Sequence, residues 1–328
     1  MRRPSTFPAL LSAALAALLA CALSGCGQSE PPPNYKSYLP ADVNAPPKTP
    51  MKLTLVSTID PRAGALRSIA IDRQDRLYAL GASGVRILAP DGSGLGAWSP
   101  PEPAFAIAAD DCGTIYVGLA NRIIKYDLSG KELGGWTISQ ADPGRPSHIT
   151  SIATVRDSVY VADAGNACVH AYTANGDFKN DIGKRDLAAG IVGLVLPSPY
   201  LDVVVDNQDR LVVTNPGRLH VETYLLSGVL ESSWGRPGLA PDQFEGCCNP
   251  TNLALTREGW VVTSEKGILR VKVSDRAGKL LAYLPPGTFG AKEPGMDLAV
   301  DSRNRIYVAA TDSGKILVFE LSPSGEAP

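Results

Sequence analysis

From residue 53 onward, short apolar segments alternate with polar turns in a pattern that recurs along the chain. In the clearest copy, residues 69–79, two apolar segments flank the polar stretch 72–76, and residues 298–308 repeat the same order of residue types. β-Branched and aromatic residues on either side of turn-forming residues predict β-hairpins. The other four copies begin at Ile107, Ile152, Val203 and Leu253.

A third apolar segment follows each hairpin, and a fourth usually follows after another turn. The whole unit recurs every ~38 to 52 residues, the length of one blade in a β-propeller. The pattern therefore predicts an all-β chain folded as a six-bladed propeller with four-stranded blades. A parallel β-helix is the alternative, but its coils are shorter than this repeat. Clear third strands are residues 123–126, 169–172, 269–273 and 316–319.

The two ends of the repeat region are complementary. The sixth unit stops near Leu321 after three strands, while residues 53–59 form a strand candidate without a hairpin partner. If the N-terminal strand completes the last blade, neither sheet edge is left open. The sequence thus predicts a propeller over residues 51–322, closed by its first strand, and a disordered tail over residues 323–328.

The first 50 residues do not contain the hairpin repeat. Arg2 and Arg3 precede an apolar run over residues 9–23, as in a signal peptide. The run ends in Leu-Ser-Gly-Cys26, which resembles the bacterial lipobox. This predicts a signal peptide over residues 1–25, a lipid (palmitate) anchor on Cys26 and a Pro-rich tether over residues 26–50. Ordinary secretion is the alternative.

A lipidated Cys26 would place the protein on a bacterial membrane, facing the periplasm or the cell exterior. Gly27 rather than Asp after the anchor favours the outer membrane in a Gram-negative host, by resemblance to lipoprotein sorting. The membrane is then contacted through the lipid anchor.

Composition narrows the function classes. The 32 glycines and 27 prolines disfavour a helical bundle. A formal net charge of -2 argues against nucleic-acid binding, which needs concentrated Lys and Arg. The sequence has no G-x-S-x-G nucleophile turn and no Gly-rich phosphate loop, and three histidines give little support to a His-rich metal site.

One stretch carries a family resemblance. Residues 161–172 read Val-Ala-Asp-Ala-Gly-Asn-Ala-Cys-Val-His-Ala-Tyr, and residues 175–178 add Asn-Gly-Asp-Phe. This resembles the repeat core of NHL six-bladed propellers, whereas the other five units match it less well. The resemblance implies the same fold, but propellers serve both as binding scaffolds and as enzymes.

Polar residues collect on one face of such a propeller. Loops between second and third strands emerge on the same face as loops that enter the next first strand. Their carboxylates and amides suit a hard cation, but Asp and Asn at strand ends also bond their own turns. The candidates are Asp163, Asn166, Asn215, Glu265, Lys266 and Asp312 from the first loop class, and His148, Asn249, Asn252 and Asp297 from the second.

Gluconolactonase-like propellers hold a divalent cation in the central channel with a Glu, Asn and Asp set. The expected channel-entry positions of this chain contain no glutamate, so the sequence predicts no cofactor and leaves a divalent cation open. These positions are Arg67, Phe105, His148, Tyr200, Asn249 and Met296.

The most unusual segment is residues 244–251, which contains Cys247 and Cys248, with residues 263–268 expected beside it. Cys112 lies in a first hairpin turn, on the opposite face, and is a poor partner for the other three, whereas Cys168 lies in the blade 3 loop before the third strand. An oxidising compartment disfavours thiols. A vicinal Cys247–Cys248 bridge, a bridge from Cys168 and unbridged cysteines all remain open.

Together these features favour a cell-envelope lipoprotein whose NHL-type propeller is a non-catalytic binding or assembly module. The candidate contact face is the one that carries Cys247 and Cys248, and the expected partner is an envelope protein, a carbohydrate or another small ligand. One alternative is a metal-dependent lactone or ester hydrolase, or a lyase. The other is a protein that uses its cysteines for redox chemistry or metal handling.

Overall fold

The computed structural model describes residues 48–139, 141–142, 144–290, 295–311 and 313–325. The predicted signal peptide, Cys26 and nearly all of the tether lie outside the described residues, as does Asp312. Within the described part of the chain, no helix has the length and apolar character needed to cross a membrane.

The described chain folds into six four-stranded antiparallel sheets, which we number as blades 1 to 6. In blades 1 to 5 the four strands follow one another in chain order. Blade 1 contains β2 (Leu66–Ile71), β3 (Leu77–Gly81), β4 (Gly84–Leu88) and β5 (Gly94–Trp98). Blade 2 contains β6 (Ala106–Ala109), β7 (Ile115–Gly118), β8 (Arg122–Tyr126) and β9 (Glu132–Thr137). Blade 3 contains β10 (Ile149–Val155), β11 (Ser158–Asp163), β12 (Cys168–Thr173) and β13 (Phe178–Ile182).

The remaining blades follow the same plan. Blade 4 contains β14 (Val203–Val205), β15 (Arg210–Asn215), β16 (His220–Leu225) and β17 (Leu230–Trp234), with a 3-10 turn over Pro216–Arg218. Blade 5 contains β18 (Asn252–Leu255), β19 (Val261–Glu265), β20 (Arg270–Ser274) and β21 (Leu280–Leu284). Blade 6 contains β22 (Leu298–Val300), β23 (Ile306–Ala310), β24 (Lys315–Pro323) and, at its outer edge, β1 (Met51–Ile59).

The predicted closure of the ring by the N-terminal strand is confirmed. β1 pairs antiparallel with β24, from Met51 opposite Pro323 to Ile59 opposite Ile316. β24 therefore continues one residue beyond the predicted end of the propeller. Met51 and Leu53 pack against the apolar core between blades 5 and 6, so the first strand adds buried surface as well as hydrogen bonds.

A repeated side-chain arrangement explains the Asp-x-x-x-Arg-x-Tyr spacing of the first hairpins. Oδ1 of Asp72 accepts hydrogen bonds from the N–H groups of Gln74 and Arg76, at 2.9 and 3.0 Å. Its Oδ2 accepts from Arg76 Nε at 2.6 Å and from the Tyr78 hydroxyl at 2.9 Å. Asp301 bonds its own turn in the same way. These carboxylates stabilise hairpin turns, as Asp does at such positions.

The core lies between neighbouring blades. Tyr78 and Leu80 of blade 1, for example, pack with Ile107 and Val117 of blade 2. Similar apolar clusters occupy the other inter-blade spaces. The first strands of all six blades then surround a central channel, whose lining decides what the molecule can bind.

Candidate functional site

One position in each blade forms a ring around the channel. It lies directly before the residue that begins each sequence repeat and contributes polar side chains in five of the six blades. The ring consists of Ser68, Ala106, Ser151, Asp202, Asn252 and Asp297.

Members of this ring join one blade to the next. Asp202 Oδ2 in blade 4 accepts the N–H of Leu253 in blade 5 at 2.7 Å. Asp297 Oδ2 in blade 6 accepts the N–H of Ile69 in blade 1, also at 2.7 Å. The hydroxyls of Ser68 and Ser151 accept N–H groups of the following blades at 3.3 and 3.4 Å. The ring is therefore part of the scaffold that holds the blades together.

Two carboxyl groups of the ring share an unfavourable electrostatic environment. Asp202 is only 4% exposed. Asp297 is half-buried and lines the channel. Burial raises the pKa of Asp202, and repulsion from Asp297 raises it further. Burial likewise raises the pKa of Asp297. The pair therefore holds a proton more readily than ordinary aspartates do.

The same carboxyl groups already hold other partners at the oxygens that a divalent cation would need. The second oxygens of both carboxylates also accept backbone N–H groups, Val203 at 2.8 Å and Leu298 at 2.9 Å. Asn252 donates its amide to Asp297 Oδ1 at 3.3 Å. Every carboxylate oxygen of the pair is thus already engaged in holding strands, and this donor set does not fit a cation site.

Above this ring, the channel opens into a cavity of about 230 Å³, which we call the mouth. Its wall contains Arg67, Phe105, His148 and Tyr200, and Asp297 lies at its inner end. The Arg67 guanidinium lies 5.3 Å from the centre of the Phe105 ring. The Phe105 and His148 rings are 5.4 Å apart. The mouth therefore combines aromatic faces with an exposed cation.

The loop with the adjacent cysteines lies beside the mouth. Asn249 is 2% exposed and donates its amide to the carbonyls of Glu245 and Lys266, at 2.8 and 3.0 Å. Its Oδ1 accepts the N–H of Lys266 at 2.9 Å. Lys266 in turn places its ammonium 4.8 Å from the centre of the Tyr200 ring. Burial and the nearby Cys248 raise the pKa of Tyr200.

Asp163 and Asn166 are buried in a network within blade 3. Asp163 accepts the N–H of His148 at 2.9 Å and the Asn166 amide at 2.9 Å. Its Oδ2 also lies 3.3 Å from His170 Nε2, and Asp181 Oδ1 lies 2.6 Å from His170 Nδ1. Burial lowers the pKa of His170, but hydrogen bonds to the two carboxylates outweigh this and raise it to about 11. His170 is therefore a buried imidazolium between two carboxylates.

Cys168, His170 and Asp181 have ligand atoms close enough for a metal ion. The Cys168 sulfur, however, lies 3.8 Å from both ring nitrogens of His170, which places it over the ring face. A metal bound to imidazole lies in the ring plane. The arrangement is that of an ion-pair network, and burial raises the pKa of the Cys168 thiol.

Glu265 in blade 5 is likewise held in a buried ion-pair network. It is fully buried and pairs with Arg270 at 2.7 Å and with Lys272 at 2.8 Å. Burial, only partly offset by Glu265, lowers the pKa of Lys272 to about 8. Arg270 also bonds the carbonyls of Leu239 and Gln243, which fixes the loop before the cysteines.

The predicted site residues thus fall into separate groups. His148 and Asp297 line the mouth, and Lys266 covers Tyr200 beside it. Cys247 is exposed, whereas Cys248 and Asn249 are buried beneath it. Asp163, Asn166 and Glu265 are buried in ion pairs and hydrogen bonds. The structure contains no disulfide among the cysteines it describes, Cys112, Cys168, Cys247 and Cys248.

Asp202 was missed by the sequence analysis. Its position in the repeat could have identified it, because Asp202 precedes Val203 just as Asp297 precedes Leu298. The channel-entry positions expected in blades 3, 4 and 5, His148, Tyr200 and Asn249, lie two or three residues before the ring positions Ser151, Asp202 and Asn252.

Solved structures share this architecture at low sequence identity. Virginiamycin B lyase from Staphylococcus aureus has a TM-score of 0.56 at 13% identity, covering 83% of this chain and 99% of that one. A gluconolactonase from Xanthomonas campestris has a TM-score of 0.55 at 16% identity, covering 82% and 89%. The chain is a six-bladed β-propeller.

A protein of unknown function from Bacteroides thetaiotaomicron has the same fold, with a TM-score of 0.57 at 13% identity, covering 84% of this chain and 77% of that one. No protein-family model matches the chain, and no curated protein matches it. The likenesses establish the fold of this propeller. Since the named neighbours include a lyase and a gluconolactonase, they do not assign it an activity.

Proposed function

We propose that this chain is a cell-envelope lipoprotein whose NHL-type propeller acts as a non-catalytic binding module, with the mouth as its ligand site. The lipobox-like Leu-Ser-Gly-Cys26 supports the envelope location. The NHL-like segment forms β11 and β12, with its Asp163 and Asn166 hydrogen-bonded to each other.

The observation that carries the binding role is the chemistry of the mouth. Its volume of about 230 Å³ is below the roughly 300 Å³ at which sites for drug-sized ligands begin. Phe105 and Tyr200 line the wall with aromatic rings, Arg67 offers a guanidinium, and Asn252 offers an amide at the inner end. A monosaccharide acid matches these three kinds of group, since its ring packs against the aromatic wall, its carboxylate pairs with Arg67 and its hydroxyls bond the Asn252 amide.

Calorimetric titration of the full chain with D-galacturonate and with D-galactose tests this proposal. The acid should bind about 10-fold or more tightly than the neutral sugar, because hydrogen bonds to charged groups contribute ~1.5–3 kcal/mol. Arg67→Gln should remove that preference. Arg303→Gln, which changes an exposed arginine in a hairpin turn on the opposite face, should keep it. Equal affinity for both sugars, or an unchanged preference in Arg67→Gln, would contradict the proposal.

An enzyme is the second candidate, because His148 and Asp297 line the same cavity and Asp297 has a raised pKa. Such a pair could transfer protons in lactone or ester hydrolysis or in a lyase reaction. Turnover of D-glucono-lactone by the wild-type chain, lost in Asp297→Asn, would favour this candidate. Binding without turnover favours the binding module.

A further inference from the structure

The adjacent cysteines are held in a rigid frame at the protein surface. Their sulfur atoms lie 3.2 Å apart, at hydrogen-bond distance. Cys247 is exposed and Cys248 is 3% exposed. One sulfur of the pair can therefore meet a molecule from solution, while the other lies directly behind it.

The frame is built on both sides of the pair. Glu245 donates its N–H to Glu265 at 3.0 Å, and the buried Asn249 joins Glu245 to Lys266. Gly246 has a φ of +73°, a backbone conformation that favours glycine. The chain thus turns immediately before Cys247 and is fixed immediately after Cys248.

We propose that Cys247 and Cys248 form a thiol–disulfide exchange site, in which exposed Cys247 captures a disulfide from solution and Cys248 resolves it. The substrate class is a small or flexible disulfide, such as glutathione disulfide or an exposed disulfide of a second protein. This goes beyond the binding role of the mouth and does not depend on it.

The chemistry balances without any further reagent. Cys247 loses its thiol proton to solvent, and its thiolate attacks one sulfur of the disulfide, forming a mixed disulfide and releasing one thiolate. Cys248 then loses its proton and attacks the Cys247 sulfur. The Cys247–Cys248 bond forms, and the second substrate thiolate leaves. The dithiol is oxidised by two electrons, and the disulfide is reduced to two thiols that recover the two protons.

The other described cysteines are internal comparisons. Cys112 is exposed in the turn between β6 and β7. With no neighbouring cysteine in the sequence, it should form a mixed disulfide and stop there. Cys168 is buried and should not react in the folded protein.

The test uses the reduced full chain, treated with excess glutathione disulfide, quenched with acid, alkylated and digested with trypsin. The peptide with both cysteines is residues 219–257, and Cys112 lies in residues 87–122. We expect peptide 219–257 to lose two hydrogen atoms and to retain about 10-fold less glutathione than the Cys112 peptide, because the neighbouring thiol has a high effective molarity.

Two variants separate capture from resolution. In Cys248→Ser, glutathione should remain on Cys247, and in Cys247→Ser, Cys248 should stay unmodified in the folded protein. Equal glutathione retention on wild-type peptide 219–257 and on the Cys112 peptide would overturn the proposal. So would a disulfide that joins peptide 219–257 to Cys112 or Cys168. The comparison of the two wild-type peptides does not depend on the folding of any variant.

Discussion

Replacing His170 by alanine should destabilise the propeller strongly. The change leaves Asp163 and Asp181 without the imidazolium that lies 3.3 and 2.6 Å from them. Both His170 and Asp163 are fully buried. Breaking a buried ion pair by removing one partner costs about 3–5 kcal/mol. For a domain of this size, that corresponds to a fall in Tm of roughly 10 °C.

The pH dependence of this effect has a definite sign. The pKa of His170 is raised from its ordinary 6.5 to about 11, so the folded protein retains a proton that the unfolded chain loses in this range. The stabilisation is fully present below about pH 6.5 and is lost as pH rises toward about 11. The stability difference between wild type and His170→Ala should therefore shrink between pH 7 and pH 10.

The assay is thermal or urea unfolding of wild type, His170→Ala and the control His220→Ala. His220 is partly exposed, with its Nδ1 3.2 Å from the Ser233 hydroxyl. Its replacement should cost about 1 kcal/mol or less. Equal losses in the two variants, or a difference between wild type and His170→Ala that does not change with pH, would refute the ion-pair argument. Asp163 and Asn166 would then again be candidate ligand residues.

Three further predictions concern closure, anchoring and the channel. Deleting residues 51–59 should lower the Tm far more than deleting residues 27–47, because the first deletion leaves β24 as an open edge; equal Tm values would contradict this. Cys26→Ala should release the protein from the membrane fraction of cells that express it, and normal fractionation of that variant would contradict the lipid anchor. Wild type should lose stability as pH rises from about 4 to 7, because buried Asp202 has a raised pKa and keeps a proton that the unfolded chain gives up. Asp202→Asn should lose less over the same range, and identical profiles for the two proteins would argue against the raised pKa of Asp202.

The fold could be predicted because hairpin chemistry repeats in the sequence. Asp72 and Asp301 are followed at the same spacing by the Arg and Tyr that they bind, so both copies predict the same turn. In blade 5, Val262 occupies the position equivalent to Tyr78. The pairing shows this, since Ala254 is opposite Val262 as Ala70 is opposite Tyr78.

The candidate face was harder to predict because the burial of a residue at a strand end depends on the side chains that the neighbouring strand brings beside it. Asp163 and Glu265 occupy the ends of second strands, where an exposed ligand group and a buried ion-pair partner look alike. Only the third strands, which bring His170 and Lys272 beside them, distinguish the two. The adjacency of Cys247 and Cys248, in contrast, is visible in the sequence.

The pairing of β1 with β24 also constrains how the molecule is made. β1 is synthesised before the other strands of the propeller, and β24, the strand that it pairs with, is synthesised after them, since Ile59 faces Ile316. Until β24 has been made, the apolar side chains of β1 and the edge of blade 6 have no partner, a state that invites aggregation. A nascent chain of this kind needs to stay unfolded or chaperoned until then, and a product truncated before β24 would leave both β1 and β23 without the strand that joins them.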